Sequence, residues 1–254
     1  IIQCMNYIKR MLNKSEVKYI QSLSQKKFRD EEGVYLIEGP KIVGEALSSP
    51  QPQVKKVYAL KEWLVSNEEL CKNIECEAVA GFELERISQL KTPNQVLAIV
   101  ALPGVEHFKF AKDQPGLVLD GIQDPGNLGT IIRIADWFGI YQVICSKDCA
   151  DAYNPKVVQS TMGSIFRVKL LYTDLGKWLD SNRDLAFYGA ALDGIPLKNI
   201  PAISNGLVVI GNESKGIRPE VMSRVTQKIT IEKWGAAESL NAAVATGIIL
   251  SHLR

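Results

Sequence analysis

Apolar and polar positions alternate in two different ways along the chain. Up to about residue 100, helical segments such as SEVKYIQSLSQKKF (15–28) are mixed with short β-rich runs, VYLIEG, VKKVYAL and VLAIV, which predicts a small α/β domain over residues 1–100. ALPGVEHFKFAKDQPG (101–116) has proline and glycine at its ends and mixed charge between them, the composition of a linker over 101–115. From residue 116 to 254 six apolar strand-like runs, GLVLDG, YQVICS, FRVKLL, LAFYGAAL, GLVVIG and KITIE, alternate with helical segments. That order predicts a second α/β domain with a parallel sheet covered on both faces.

In an open parallel sheet, ligands bind beyond the carboxyl ends of the strands. Three loops there carry glycine together with an acid or an amide: DGIQDPGN (120–127), GNESKG (211–216) and EKWGAAESLN (232–241), the last running into the helix LNAAVATGIILSHLR. In the first, Pro125 and Gly126 suit the central positions of a type II turn between Asp124 and Asn127. None is a phosphate loop, since GNESKG lacks the G-K-[ST] ending and no G-x-G-x-x-G follows a strand. A nucleoside triphosphate or a dinucleotide is therefore disfavoured, and a nicotinamide-dependent oxidoreductase with it. Three such loops together point to one shared site.

One arginine stands in the helix that follows the first loop. Ile131, Ile134, Ala135 and Phe138 recur at i, i+3, i+4 and i+7 and form its buried stripe. Arg133, about 200° round from Ile131, points off that face. It can pair with Asp136 at i+3, stack on Trp137 at i+4, or serve the loop ends; the geometry of the helix leaves all three open.

Composition narrows the classes. The chain has 254 residues, 46% hydrophobic and 23% charged, enough for a sizeable globular core. No apolar run approaches the roughly 18 residues of a membrane span. Lys9, Arg10 and Lys14 are not followed by a signal-peptide core, so a cytoplasmic location is expected. IIQC before Met5 reads as an extension upstream of a natural start. Five cysteines form no C-x-x-C pair and the two histidines, His107 and His252, build no metal site alone, so free thiols and no metal are expected. The net charge of +2 is uninformative, but between Lys9 and Arg29 the cations Lys14, Lys18, Lys26 and Lys27 are opposed only by Glu16. Such a run is either a solvated face or a nucleic-acid contact, with Lys18, Lys26, Lys27 and Arg29 as the candidates.

NLGTIIR (127–133), IGNESKGI (210–217) and ESLNAAVAT (238–246) resemble, in order and spacing, the three motifs of the SpoU, or TrmH, family of RNA ribose 2'-O-methyltransferases in the SPOUT superfamily. NPKVVQSTMGSIFRV (154–168) is similar to the family's segment between motifs one and two. Residues 13–47 resemble its L30e-like substrate-binding domain. The resemblance implies a catalytic α/β domain with a deep trefoil knot, one of the rare exceptions to unknotted chains. It also implies a homodimer, an RNA substrate, ribosomal more than transfer RNA, and S-adenosylmethionine as cofactor. Main-chain groups at Gly211, Ile231 and Leu240 would hold the adenosine. Asn127, Arg133, Glu213, Ser239 and Asn241 would be the catalytic and substrate-positioning residues.

The family assigns the 2'-hydroxyl proton to the motif-one arginine, here Arg133. A guanidinium has no acceptor site, which leaves two versions. Desolvation beside the sulfonium makes Arg133 the acceptor, or Arg133 stabilises the developing alkoxide while a phosphate or water takes the proton. One departure stands out: where the family has Ile-Pro-Met, this chain has Ile231-Glu232-Lys233, then Trp234 and Gly235. A non-catalytic RNA-binding protein of the same fold is the competing reading, but it has no need of Asn127, Arg133, Glu213 and Asn241 together.

Overall fold

The computed structural model describes residues 11–104 and 110–253. Met5, Lys9, Arg10, His107 and the middle of the expected linker lie outside the described residues. The chain forms two compact units, and the first takes in Tyr153–Phe166 as well as the residues before the linker.

The first unit runs α1 (Lys14–Ser22), α2 (Lys26–Glu32), β1 (Val34–Glu38), α3 (Pro40–Ser48), β2 (Val54–Ala59), α4 (Lys61–Ser66), α5 (Glu68–Cys71), β3 (Glu75–Ala78), α6 (Gly81–Ile87) and β4 (Val96–Ala101). Its four strands lie in the order β1-β4-β2-β3, mixed in direction. The expected single helix over 15–28 is two. At the break, Ser22 and Ser24 turn their hydroxyls back onto the carbonyls of Tyr19 and Gln21, the local competition that makes serine a poor helix-interior residue. α1 itself starts on a capping box: Asn13 Oδ1 accepts from Glu16 N at 2.9 Å and Glu16 Oε2 from Asn13 N at 3.0 Å. β3 departs from the strand pattern because two of its four residues are glutamates, and Lys56 on neighbouring β2 holds both Glu75 and Glu77 at 2.8 Å.

The second unit begins with β5 (Pro115–Asp120), α7 (Pro125–Trp137) and β6 (Gln142–Ser146). The chain then crosses to the first unit as α8 (Pro155–Thr161) and a 3-10 turn over Ser164–Phe166. There Val158 is 1% exposed, within the cluster of Tyr35, Ile37, Val43 and Leu64. It returns as β7 (Lys169–Thr173), α9 (Leu175–Asp180), β8 (Phe187–Pro196), β9 (Gly206–Gly211), α10 (Pro219–Met222), β10 (Gln227–Thr230) and α11 (Ala242–Leu253).

The six strands of this unit run β10-β8-β9-β5-β6-β7, and every pairing is parallel. This is the α/β architecture expected. β5 and β6 are buried along their whole length, which is why their sequences are continuous apolar runs rather than alternating ones. α7 and α11 pack on each other, burying Leu128, Ile131, Ile132 and Ala135 of α7.

Candidate active site

β5 ends on Asp120, 1% exposed in a strand otherwise wholly apolar. The turn beyond it is pinned from below. Gly121 N donates to Ser146 Oγ at 2.9 Å and Ile122 N to Cys149 Sγ at 3.3 Å. The turn needs glycine at 121, where φ is +72°. The expected type II turn at Pro125-Gly126 is instead the first turn of α7. Asp124 is its N-cap, its Oδ1 accepting from Asn127 N at 2.8 Å, and Pro125 occupies the first helical turn. A proline there has no amide to lose and an aspartate before it supplies the missing acceptor.

The loop after β9 folds onto the first. Asn212 and Gly216 exchange main-chain hydrogen bonds at 3.1 and 2.8 Å. The Asn212 side chain accepts from Ser214 N and Lys215 N, and its Nδ2 donates to Gly121 O at 2.9 Å. The loop leaves through Arg218, whose main-chain N and Nε donate to Asp120 at 2.8 and 2.6 Å. Donating to the Asp120 carboxylate raises the arginine's pKa above its ordinary value, against partial desolvation. Gly211 is glycine for a reason internal to the chain. A Cβ there would sit 2.2 Å from the carbonyl carbon of Gly216 and 2.3 Å from Ile217 N. A side chain at 211 would break the loop before it met any ligand.

The third loop, after β10, is tied at its two ends. Glu232, which stands where the resembling family has proline, accepts from Lys198 Nζ at 2.7 Å, so its charge is paired. At the far end Asn241 caps α11, its Oδ1 accepting from Ala243 N at 3.0 Å and Val244 N at 3.2 Å. Between them residues 232–240 are exposed, and among the described residues no main-chain to main-chain hydrogen bond involves them. Those donors and acceptors are left to water or to a ligand.

The three loops meet in side chains. Asn241 Nδ2 donates to Asn127 Oδ1 at 2.9 Å, and Asn127 Nδ2 donates to Glu213 Oε1 at 2.5 Å. One amide thus reads an amide on one side and a carboxylate on the other. Ser239 and Leu240 lie on the exposed loop and Ile231 is half-buried at its start. Arg133 is exposed and has neither a hydrogen bond nor an ion pair among the described residues. The alternative partner, Asp136, is engaged by Arg167 at 2.7 Å, and no cation-π contact joins Arg133 to Trp137 among the described residues. Arg133 stands six positions beyond Asn127, about 9 Å along the helix and about 120° round it. The two therefore project from α7 in different directions.

Beneath the first loop, the hydrogen bond with Cys145 draws the Cys149 thiol down to about 7, against the burial that pushes it up. Cys71, Cys76, Cys145 and Cys149 are all free thiols. Of the cations proposed for RNA, Lys18, Lys26 and Lys27 are exposed, and Lys26 reaches Asp30 at 2.8 Å. Arg29 must be withdrawn. It is 2% exposed and its Nη1 donates to the carbonyls of Leu23 and Ser24 at 2.8 Å, so it caps the end of α1. Asp120, Asn212, Ser146 and Arg218 belong to the site without being evident from the sequence. Only Asp120 carries a signal, as an acid closing an apolar strand.

A parallel α/β sheet whose glycine-bearing loops converge at the strand ends, with exposed main chain among them, is the class of α/β protein that can hold a ligand by main-chain groups beyond its strands. The chain belongs to the SpoU rRNA methylase family, whose model matches residues 115–251. The model of the MRM3-like substrate binding domain matches 14–98. Over 242 residues the chain is 34% identical to the 23S rRNA (guanosine(2553)-2'-O)-methyltransferase RlmP of Bacillus subtilis, covering 94% of this chain and 96% of the relative. A structure assigned to the TrmH family of RNA methyltransferases, from Porphyromonas gingivalis, superposes with a TM-score of 0.84 at 34% identity, over 96% of this chain and 99% of that one. The AdoMet-bound rRNA methyltransferase of Sinorhizobium meliloti gives 0.84 at 28% identity, over 97% and 96%. No helix among the described residues is long and apolar enough to cross a membrane.

Proposed function

We propose that the chain is an S-adenosylmethionine-dependent RNA methyltransferase that methylates a ribose 2'-hydroxyl of ribosomal RNA, acting in the cytoplasm as a homodimer with a knotted catalytic domain. The observation that carries this reading is the Asn241–Asn127–Glu213 relay, which joins all three family motifs by side-chain hydrogen bonds at 2.9 and 2.5 Å. The residues suit the cofactor: main-chain groups at Gly211, which ends β9, at Ile231, which follows β10, and at Leu240 on the exposed loop would offer donors and acceptors to an uncharged adenosine. When bound, S-adenosylmethionine supplies a methyl group on a positively charged sulfur.

The chain's own residues do the rest. Asn127, fixed between Asn241 and Glu213, and Ser239, two residues before Asn241 on the exposed loop, position the substrate. Arg133 lies exposed in the single chain, not desolvated, which favours its role as stabiliser of the developing alkoxide over that of proton acceptor. A phosphate or water then takes the proton. The dimer is supported by the α7 and α11 helices, which together leave Trp137 84%, Val244 51% and Ile248 38% exposed. Ribosomal RNA is favoured over transfer RNA by the MRM3-like domain and by a relative named for 23S rRNA.

Incubation with methyl-labelled S-adenosylmethionine and unmodified ribosomal RNA, followed by alkaline hydrolysis, tests the proposal. A 2'-O-methyl group blocks cleavage of its own linkage, so the label should emerge in dinucleotides. Label in mononucleotides would place the methyl on a base and refute it.

A further inference from the structure

We infer that Trp234 is a stacking residue for a nucleobase of the RNA substrate, an inference that rests on the RNA methyltransferase reading. Trp234 is 91% exposed and has no ring partner among the described residues. It is set on an arch held at both ends, by Lys198–Glu232 at 2.7 Å and by Asn241–Asn127 at 2.9 Å. The second anchor belongs to the relay itself, so one end of the arch that carries the ring stands at the proposed chemistry.

The chemistry around the ring favours a nucleic acid over protein. Its chain neighbours are Lys233 and Gly235, and the arch from 232 to 241 holds one other large apolar residue, Leu240, six positions away and 45% exposed, so the ring is not part of a contiguous apolar run. A protein interface centres on a contiguous apolar patch depleted in charge. A single-strand RNA contact wants an isolated π-face with a cation near it for the phosphate. The acid next to that cation, Glu232, is already neutralised by Lys198, which leaves Glu238 as the one unpaired acid of the arch among the described residues. Trp137, the other fully surfaced tryptophan, differs. It sits on α7, which is packed with α11 beside exposed Val244 and Ile248, and fits a partner subunit better than a base.

The test uses the full chain, S-adenosylmethionine and unmodified large-subunit ribosomal RNA made by transcription in vitro, comparing wild type with Trp234→Leu and Trp234→Phe. Stacking of one base on an aromatic ring is worth roughly 5- to 150-fold in affinity. Trp234→Leu should therefore raise KM for RNA about tenfold, while kcat, calorimetric cofactor affinity and the oligomeric state by gel filtration stay as in wild type. Trp234→Phe should recover most of the loss. Tryptophan fluorescence excited at 295 nm should be quenched by RNA in wild type and much less in Trp234→Leu. An unchanged KM in Trp234→Leu, a parallel loss of cofactor affinity, or dissociation of the oligomer would each overturn the inference. If wild type binds RNA with quenching but puts its label elsewhere than on the ribose, stacking stands and the methyltransferase reading falls. If wild type binds no RNA, both fall.

Discussion

Replacing Asp120 by asparagine attacks the contact that holds the second loop to the first strand. The buried carboxylate accepts from Arg218 N at 2.8 Å and from its Nε at 2.6 Å. Each hydrogen bond to a charged group contributes about 1.5–3 kcal/mol. The amide keeps one acceptor but turns an NH2 toward donors, so we expect both bonds to be weakened. Arg218 is 40% exposed on its side-chain atoms, and water replaces part of what is lost there. The net cost should be about 2–3 kcal/mol, or roughly 4–12 °C in Tm for a chain of this length. Cofactor affinity should fall as well, because the loop bearing Gly211 and Glu213 loses its anchor. Thermal unfolding of Asp120→Asn, Arg218→Gln and the double variant closes a cycle. A coupling of about 1 kcal/mol or more is expected, and additivity within about 0.5 kcal/mol would refute the claim that this pair acts as one clasp.

Three further outcomes are expected. Arg133→Ala should lower kcat about 10²-fold or more in single-turnover methylation while calorimetric cofactor binding persists, and Arg133→Lys should recover little because an ammonium lacks the planar donor fork; a wild-type rate in Arg133→Ala removes it from the chemistry. Alanine at Lys18, Lys26 and Lys27 should weaken RNA binding and reduce the slope of log K against log salt by roughly 0.7–0.9 for each phosphate no longer neutralised, and an identical slope would make the three a solvated face. Burial raises the Glu38 pKa above the usual carboxylate range, opposed by hydrogen bonds from Ser88 and Gln89. A raised folded-state value gives stability that is present at low pH and lost as pH climbs through it. The Tm of Glu38→Gln relative to wild type should therefore improve as pH rises through and above the usual carboxylate range, and a difference that is flat or falls contradicts that sign.

The legible parts of this chain are those where one physical force acts alone. The central strands of the parallel sheet, β5, β6 and β9, are buried on both faces, so continuous apolar runs announce them. β3 is hidden because Glu75 and Glu77 are tolerated there through Lys56, a residue about 20 positions away. Asp124-Pro125 suits a turn as well as a helix start, and only the amide of Asn127 decides between them. Arg29 looks like one more surface cation, and its burial depends on the bend at Ser22–Gln25 that the helical pattern does not announce. Asn127, Glu213 and Asn241 stand out as motif positions, but their mutual hydrogen bonds span 86 and 114 residues. No local spacing encodes a distance of that kind.

The excursion of Tyr153–Phe166 into the first unit has a consequence for synthesis. A ribosome that has finished β4 has made every strand of the first unit's sheet, yet the core around Tyr35 and Leu64 still lacks Val158, which is buried in it. Some 60 further residues must emerge before that gap can be filled, and at about 5–20 residues per second this takes roughly 3–12 s. Through that interval the nascent first unit carries an apolar hollow facing outward. During the same interval β5, α7 and β6 are produced without the strands that flank them. The first unit waits for residues 153–166 and the second for its own strands beyond them, so a chain stopped after β6 but short of Val158 leaves two unfinished cores and no finished one.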